Sequence, residues 1–178
     1  VMGIEGMIRK NYYIALNEMI PEEFAFEERS KRPPRDPFNA LISFGNTMMY
    51  TAVLSEIFKT QLNPTISYLH EPSQKRFSLC LDIAEIFKPL LVDPLILTLV
   101  NNRKIQSKHF EDHEGMIYLN DEGRKIFISA FDERLQSTVR HRKLNRNVSY
   151  RYLIRLECYK LITHVIGDTN YIPLKAWW

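Results

Sequence analysis

Asp82 and Glu85 stand three residues apart in a stretch, YLHEPSQKRFSLCLDIAEIFKP (residues 68–89), that also carries His70. A helix over about Phe77 to Lys88 puts both carboxylates on one face, with Leu79, Ile83, Ile86 and Phe87 mainly on the other. Two carboxylates beside an imidazole can hold a hard divalent ion. The oxygens suit Mg²⁺ or Mn²⁺, and the nitrogen suits a somewhat softer metal. The same pattern also describes the solvated face of an amphipathic helix, which on these residues alone is the commoner case. His109 and His113, four residues apart among Glu111, Asp112 and Glu114, have zinc-ligand spacing on what reads as an exposed loop. There is no Gly-rich phosphate loop, HExxH pair, CxxC pair or GxSxG elbow.

Charge supplies a second signal. The chain carries 24 Lys and Arg against 21 Asp and Glu, a net +3. Between Arg134 and Lys160, however, eight basic residues (Arg134, Arg140, Arg142, Lys143, Arg146, Arg151, Arg155 and Lys160) meet one acid, Glu157. Arg29, Lys31, Arg32 and Arg35 form a second basic knot. Charge of one sign gathered in this way favours a polyanionic partner, unless acidic neighbours in space neutralise it.

The elements that must position these groups read as helices. At 178 residues, 45% hydrophobic and 12% aromatic, the chain is one globular domain with a real core. An amphipathic pattern of Ile4, Ile8, Tyr12, Ala15 and Met19 predicts a first helix ending at Pro21. Glu5, between Gly3 and Gly6, has the setting of a close backbone or ligand approach, or of an ordinary first-turn acid. Residues 21–37, rich in proline and charge, read as a linker outside the core. Asp36-Pro37 is an N-cap with Pro at the first helical position. The largely apolar segment from Phe38 to about Leu62 is a central helix, with Asn39 and Asn46 as a polar stripe that must find hydrogen bonds.

Phe77–Lys88 is the next helix, stopped by Pro89, and Asp93 caps another over Leu95–Val100. Gly115–Leu119 is a short strand or extended segment. A helix follows from Asn120 through Val139, then a basic connector to Asn147, and a last helix from Tyr150 to about Ile166, capped by Ser149 and closed by Gly167. The expected fold is all-α, with at most a short β segment near 115–119. Cys80 and Cys158 lie in apolar segments without ligand spacing, predicting buried reduced thiols and a cytoplasmic protein. No apolar run nears the ~18 residues of a membrane span, and Glu5, Arg9 and Lys10 do not fit a signal peptide. A chain that opens on Val1 inside a helical pattern reads as part of a longer protein.

Several separated motifs, in order, resemble one family. They are Gly3-Ile4-Glu5-Gly6, RPPRDPFNALISFG (residues 32–45), Tyr68-Leu69-His70-Glu71-Pro72 and RFSLCLDIAEIFKP (residues 76–89), then YLNDEGRKIFISAF (residues 118–131) and Ser149-Tyr150-Arg151. Together they resemble the catalytic region of Cas1, the nuclease and integrase of CRISPR adaptation, over nearly the whole chain. The resemblance implies a helical C-terminal catalytic domain spanning residues 1–178, a divalent Mg²⁺ or Mn²⁺ ion, and DNA as substrate. It implies Glu5, His70 and Glu85 as catalytic metal ligands, with Asp82 as a neighbouring or alternative ligand. It places DNA contacts at Lys75, Arg76, Arg32 and Arg35, beside those that charge suggests at Arg140, Arg142 and Arg146. His70 has two capacities, metal ligand and proton carrier. The family further implies a homodimer made through an N-terminal β-rich domain outside this chain, and a small companion subunit, Cas2. Without that domain, these residues are expected to fold, to nick branched DNA poorly and not to join both ends of one DNA segment. A non-catalytic helical DNA-binding or scaffolding domain is the alternative.

Overall fold

The computed structural model describes residues 2–30, 32–68 and 77–175; the side chains of Met2, Gly3, Glu5 and Arg9 also lie outside the description. Among the described residues the order is α1 (Met2–Glu18), α2 (Pro37–Ile57), α3 (Ser78–Phe87), α4 (Asp93–Asn101), β1 (Phe110–His113), β2 (Met116–Leu119), α5 (Asp121–Gln136), β3 (Thr138–His141), β4 (Arg146–Ser149) and α6 (Tyr150–Val165). The fold is mostly helical, as expected. Three of the four strands fall outside the 115–119 segment where β structure was anticipated. No described helix is long and apolar enough to cross a membrane. The chain divides into two compact units, Val1–Gly45 with Leu95–Ile128 and Asn46–Pro94 with Ser129–Trp178.

In the first unit the 21–37 segment is largely exposed, as its charge suggests, but it is anchored in the core by Phe24, Phe26 and Pro34. Phe24 and Phe26 are buried; Phe26 stacks on Phe38 with centroids 4.9 Å apart, and Phe24 meets Phe110 edge-on. The fully buried Asn39 supplies the polar anchor. Its Nδ2 donates to the Glu28 carbonyl and to Asp36 Oδ2, while its Oδ1 accepts from the Ser30 amide and from Arg29. Two phenylalanines and one asparagine thus tie down a segment whose charge density suggests exposure. The expected N-cap is present: Asp36 Oδ1 accepts from the Asn39 amide at 2.8 Å. Asn46, by contrast, is only half-buried.

The inward face of α1 also differs from the predicted one. Ile4, Ile8, Tyr12 and Met19 are exposed, and Leu16 is buried. The face that packs carries Tyr13, whose ring meets Phe26 edge-on, and Asn17, whose Oδ1 accepts from the Phe26 amide. Tyr13, Leu16 and Asn17, spaced i, i+3, i+4, make that face, so it is a different helical stripe from the predicted one. At the other end of this unit, β1 and β2 form a hairpin around Glu114 and Gly115, both at positive φ. Two left-handed residues match the twist of a two-residue turn, which turns the expected loop at His113 into a strand.

In the second unit α3 does not stop at Pro89. Lys88–Val92 form a π-helical turn, with the Asp93 amide donating to the Lys88 carbonyl. Widening the helix by one residue accommodates a proline that has no N–H to give. Asp93 has helical dihedrals and continues the chain into α4 as its first residue. α2 ends at Ile57 rather than Leu62, and α5 ends at Gln136, so the predicted end of that helix becomes β3. The basic connector is the turn and second strand of a hairpin: Thr138 pairs with Ser149 and His141 with Arg146. α6 agrees with expectation, since Ser149 Oγ accepts from the Tyr152 amide at 3.1 Å and Gly167 has φ +81°.

Candidate metal centre and nucleic-acid interface

α3 has no side-chain N-cap. Its first-turn donors are met by the preceding segment instead: the Leu79 amide donates to the Pro64 carbonyl and Ser78 Oγ to the Thr65 carbonyl. Asp82 extends the same seam. It is buried, and its Oδ2 accepts from the Tyr68 amide at 2.9 Å. Asp82 thereby fixes the backbone that leads into His70.

Glu85 sits one turn on in a different setting. Its carboxylate is 41% exposed, and its Oε1 accepts from Lys88 Nζ at 2.6 Å. The same ammonium donates to the Tyr50 hydroxyl at 2.8 Å and lies 4.7 Å from the Tyr50 ring centroid. The two carboxylates expected to share a face are thus divided between interior and solvent. Leu79, Ile83 and Phe87 are buried as anticipated. Lys88 and Tyr50 were not singled out from sequence. The i,i+3 spacing of Glu85 and Lys88 was a legible sign; nothing in the sequence ties Tyr50 to a residue 38 positions away.

Of the remaining predicted ligands, Glu5 lies in α1, in the first unit, with its side chain outside the description. His70 lies outside the described residues, as do Lys75 and Arg76. Among the described residues, no three His, Cys, Asp or Glu side chains converge on a metal-sized space. The donors that are described nevertheless suit a hard cation. Glu85 offers a solvent-facing carboxylate, and Asp82 is already engaged in orienting the chain ahead of His70. His109 and His113 do not pair. His109 is buried, its Nδ1 accepting from the Gln106 amide, whereas His113 is exposed beside Glu111. Beyond its own helix, no described residue comes within 4 Å of where a Cβ on Gly6 would stand.

Arg134 lies over the Tyr150 ring, and the other seven basic residues of the stretch fall into two populations. Arg155 pairs with the buried Glu56 at 2.8 Å, Arg151 with Asp132 at 3.0 Å, and Lys160 with the buried Glu157. These cations are neutralised and structural. Arg140, Arg142, Lys143 and Arg146 instead lie exposed on the β3–β4 hairpin. Arg140 donates to Asn145 Oδ1, and Arg146 lies over the Tyr152 ring. A groove of about 1160 Å³ is lined by Arg140, Arg142, Lys143, Lys160 and Lys175 together with Leu153, Ile172 and Leu174. The first knot divides similarly: Arg29 is a buttress on Asn39 and Ser43, whereas Arg32 and Arg35 are exposed.

Both cysteines are buried, and burial raises their thiols to about 11 at Cys80 and about 12 at Cys158. They are inert at neutral pH.

The sequence profile described as "CRISPR associated protein Cas1" matches residues 1–133. The chain belongs to the Cas1 family. It is 61% identical over 181 aligned residues to a "CRISPR-associated endonuclease Cas1" of Clostridium perfringens, covering 100% of this chain and 55% of that protein. A solved Cas1 protein from Thermotoga maritima superimposes with a TM-score of 0.87 at 50% identity, over 96% of this chain and 53% of that one. A chain of a Cas6-RT-Cas1–Cas2 complex aligns with a TM-score of 0.80 at 25% identity, over 94% of this chain and 18% of that one. The chain spans about half the length of the curated relatives it matches.

Proposed function

We propose that this chain carries the divalent-metal-dependent DNA endonuclease and strand-transfer site of a CRISPR adaptation protein. The observation that carries the reading is the division of labour on α3: a solvent-facing Glu85 beside a buried Asp82 that holds the backbone entering His70. Glu85 would hold the ion with Glu5 and His70, and Asp82 would act by orientation. Bound there, Mg²⁺ or Mn²⁺ would make the attacking oxygen more acidic and offset charge on the phosphoryl group.

The chain's own residues supply the rest. Lys88, fixed by Tyr50, holds one oxygen of Glu85 and limits its rotamers. In hydrolysis a water oxygen bonds to phosphorus as the bond to the leaving sugar oxygen breaks. In strand transfer a DNA 3′-OH supplies the attacking oxygen, so the same groups serve both. Arg32, Arg35, Lys75, Arg76, Arg140, Arg142 and Arg146 would contact the phosphate backbone, which positions DNA without reading sequence. Likeness to a chain of a Cas1–Cas2 complex supports a Cas2-type partner for the whole protein, and the family resemblance a homodimer.

A second reading, a helical DNA-binding scaffold without catalysis, draws on Lys88, because an ammonium 2.6 Å from Glu85 already compensates its charge. Cleavage of branched DNA with Mn²⁺, with EDTA, and by Glu85→Ala separates the two. Cleavage lost in EDTA and in Glu85→Ala, with DNA binding kept, is the catalytic outcome. Equal DNA binding with no cleavage under any condition is the scaffold outcome.

A further inference from the structure

We propose that Tyr68 and His164 form a stacking subsite for an unpaired nucleobase beside the reacting phosphodiester, an inference that rests on the DNA reading above. Tyr68 is 51% exposed, yet its backbone is fixed. Its amide is bonded to Asp82 Oδ2, and Pro64 and Thr65 just ahead of it are tied to the start of α3. A large ring on an anchored backbone loses little freedom when a flat ligand covers it, and it has apolar area still to bury.

His164, exposed in the last turn of α6, supplies a second ring. The centroids are 6.4 Å apart, and the planes are tilted by 48°. Rings meeting at that angle are not stacked on each other, so each keeps a π face for a third ring. Ile66, Val165 and Ile166, near these two in sequence, are also exposed. An apolar, aromatic setting favours a base over a phosphate, and every base has a π face, so the subsite is tolerant of sequence.

Its position selects which base. Tyr68 is bonded to Asp82, one turn of α3 from Glu85, and precedes His70 by two residues. A base stacked there belongs to the nucleotide at, or next to, the phosphate under attack. Stacking would fix that nucleotide's sugar and phosphate, so that the attacking and leaving oxygens stay in line.

DNA with a single-stranded flank, carrying 2-aminopurine at each flank position in turn, tests this. Wild-type protein is expected to quench the fluorescence strongly at one position. Tyr68→Ala should relieve that quenching and weaken binding by about 5- to 150-fold, whereas Tyr68→Phe should keep both. An abasic site at the quenched position, an arm that needs no variant, should weaken wild type by a similar factor and add nothing to Tyr68→Ala. Wild-type affinity and quenching in Tyr68→Ala, or no effect of an abasic site anywhere in the flank, overturns the subsite and leaves the DNA reading standing. Absence of salt-sensitive DNA binding by wild type overturns both.

Discussion

Replacing Glu85 by Ala should abolish metal binding and cleavage together, because its carboxylate is the described donor that faces solvent. Asp82→Ala should act at one remove. Loss of its bond to the Tyr68 amide loosens the chain ahead of His70 and should lower activity about 10- to 100-fold, the usual effect of a supporting partner. Parallel metal titrations and cleavage assays of the two variants check the ranking, and the reverse order exchanges their roles. Glu56 tests a structural charge. Burial pushes its carboxyl up, but hydrogen bonds and charge from Lys59 and Arg155 outweigh this and hold it below the usual 4.5. A depressed carboxyl stabilises the fold above about pH 4.5, and that contribution fades as pH falls through the lower folded-state value. Glu56→Ala should therefore cost about 3 kcal/mol at pH 7 by denaturant unfolding, the low end for a broken buried pair because Arg155 keeps some solvent contact. The variant should also lose less stability than wild type on acidification.

At the level of elements, the β3–β4 hairpin is where exposed positive charge collects. Arg140→Ala, Arg142→Ala and Arg146→Ala together should flatten log K against log[salt] by about one unit for each phosphate that is no longer neutralised, whatever the DNA sequence. An unchanged slope would place the hairpin away from DNA. Gly123 marks a different constraint, since a Cβ there would stand 2.8 Å from both the His109 carbonyl oxygen and Leu119 Cδ2. Gly123→Ala should thus destabilise by about 1–3 kcal/mol in thermal or denaturant unfolding, although alanine is the better helix former. The elements also mark what sequence made legible. The caps at Asp36 and Ser149 and the stop at Gly167 were readable because each is a local hydrogen bond or backbone conformation. The π turn at Lys88–Val92 was not, since proline alone signals a stop and only the following packing shows that the helix continues. The inward face of α1 departs from the predicted stripe because Tyr13, Leu16 and Asn17 meet the 21–37 segment, contacts that exist only once that segment has folded.

On the scale of the whole molecule, the family was legible in residue types and order, and the three ligands are a proposal carried by that family pattern. Motifs spread from Glu5 to Arg151 pointed to Cas1 and to three ligands, whereas Lys88 with Tyr50 and the neutralisation of Arg151, Arg155 and Lys160 depend on contacts between distant segments. Eight cations in sequence look alike, and only folding separates buttress from surface. Glu5, His70 and Glu85 are proposed to hold one divalent ion on which cleavage depends. The most direct test is Mn²⁺ binding followed by electron paramagnetic resonance, for wild type and for Glu5→Ala, His70→Ala and Glu85→Ala, each assayed in parallel for nicking of branched DNA. One Mn²⁺ should bind tightly per chain, with binding and nicking lost together in all three variants. Wild-type Mn²⁺ binding in Glu5→Ala, His70→Ala or Glu85→Ala, or undiminished nicking by wild type in EDTA, would rule this out.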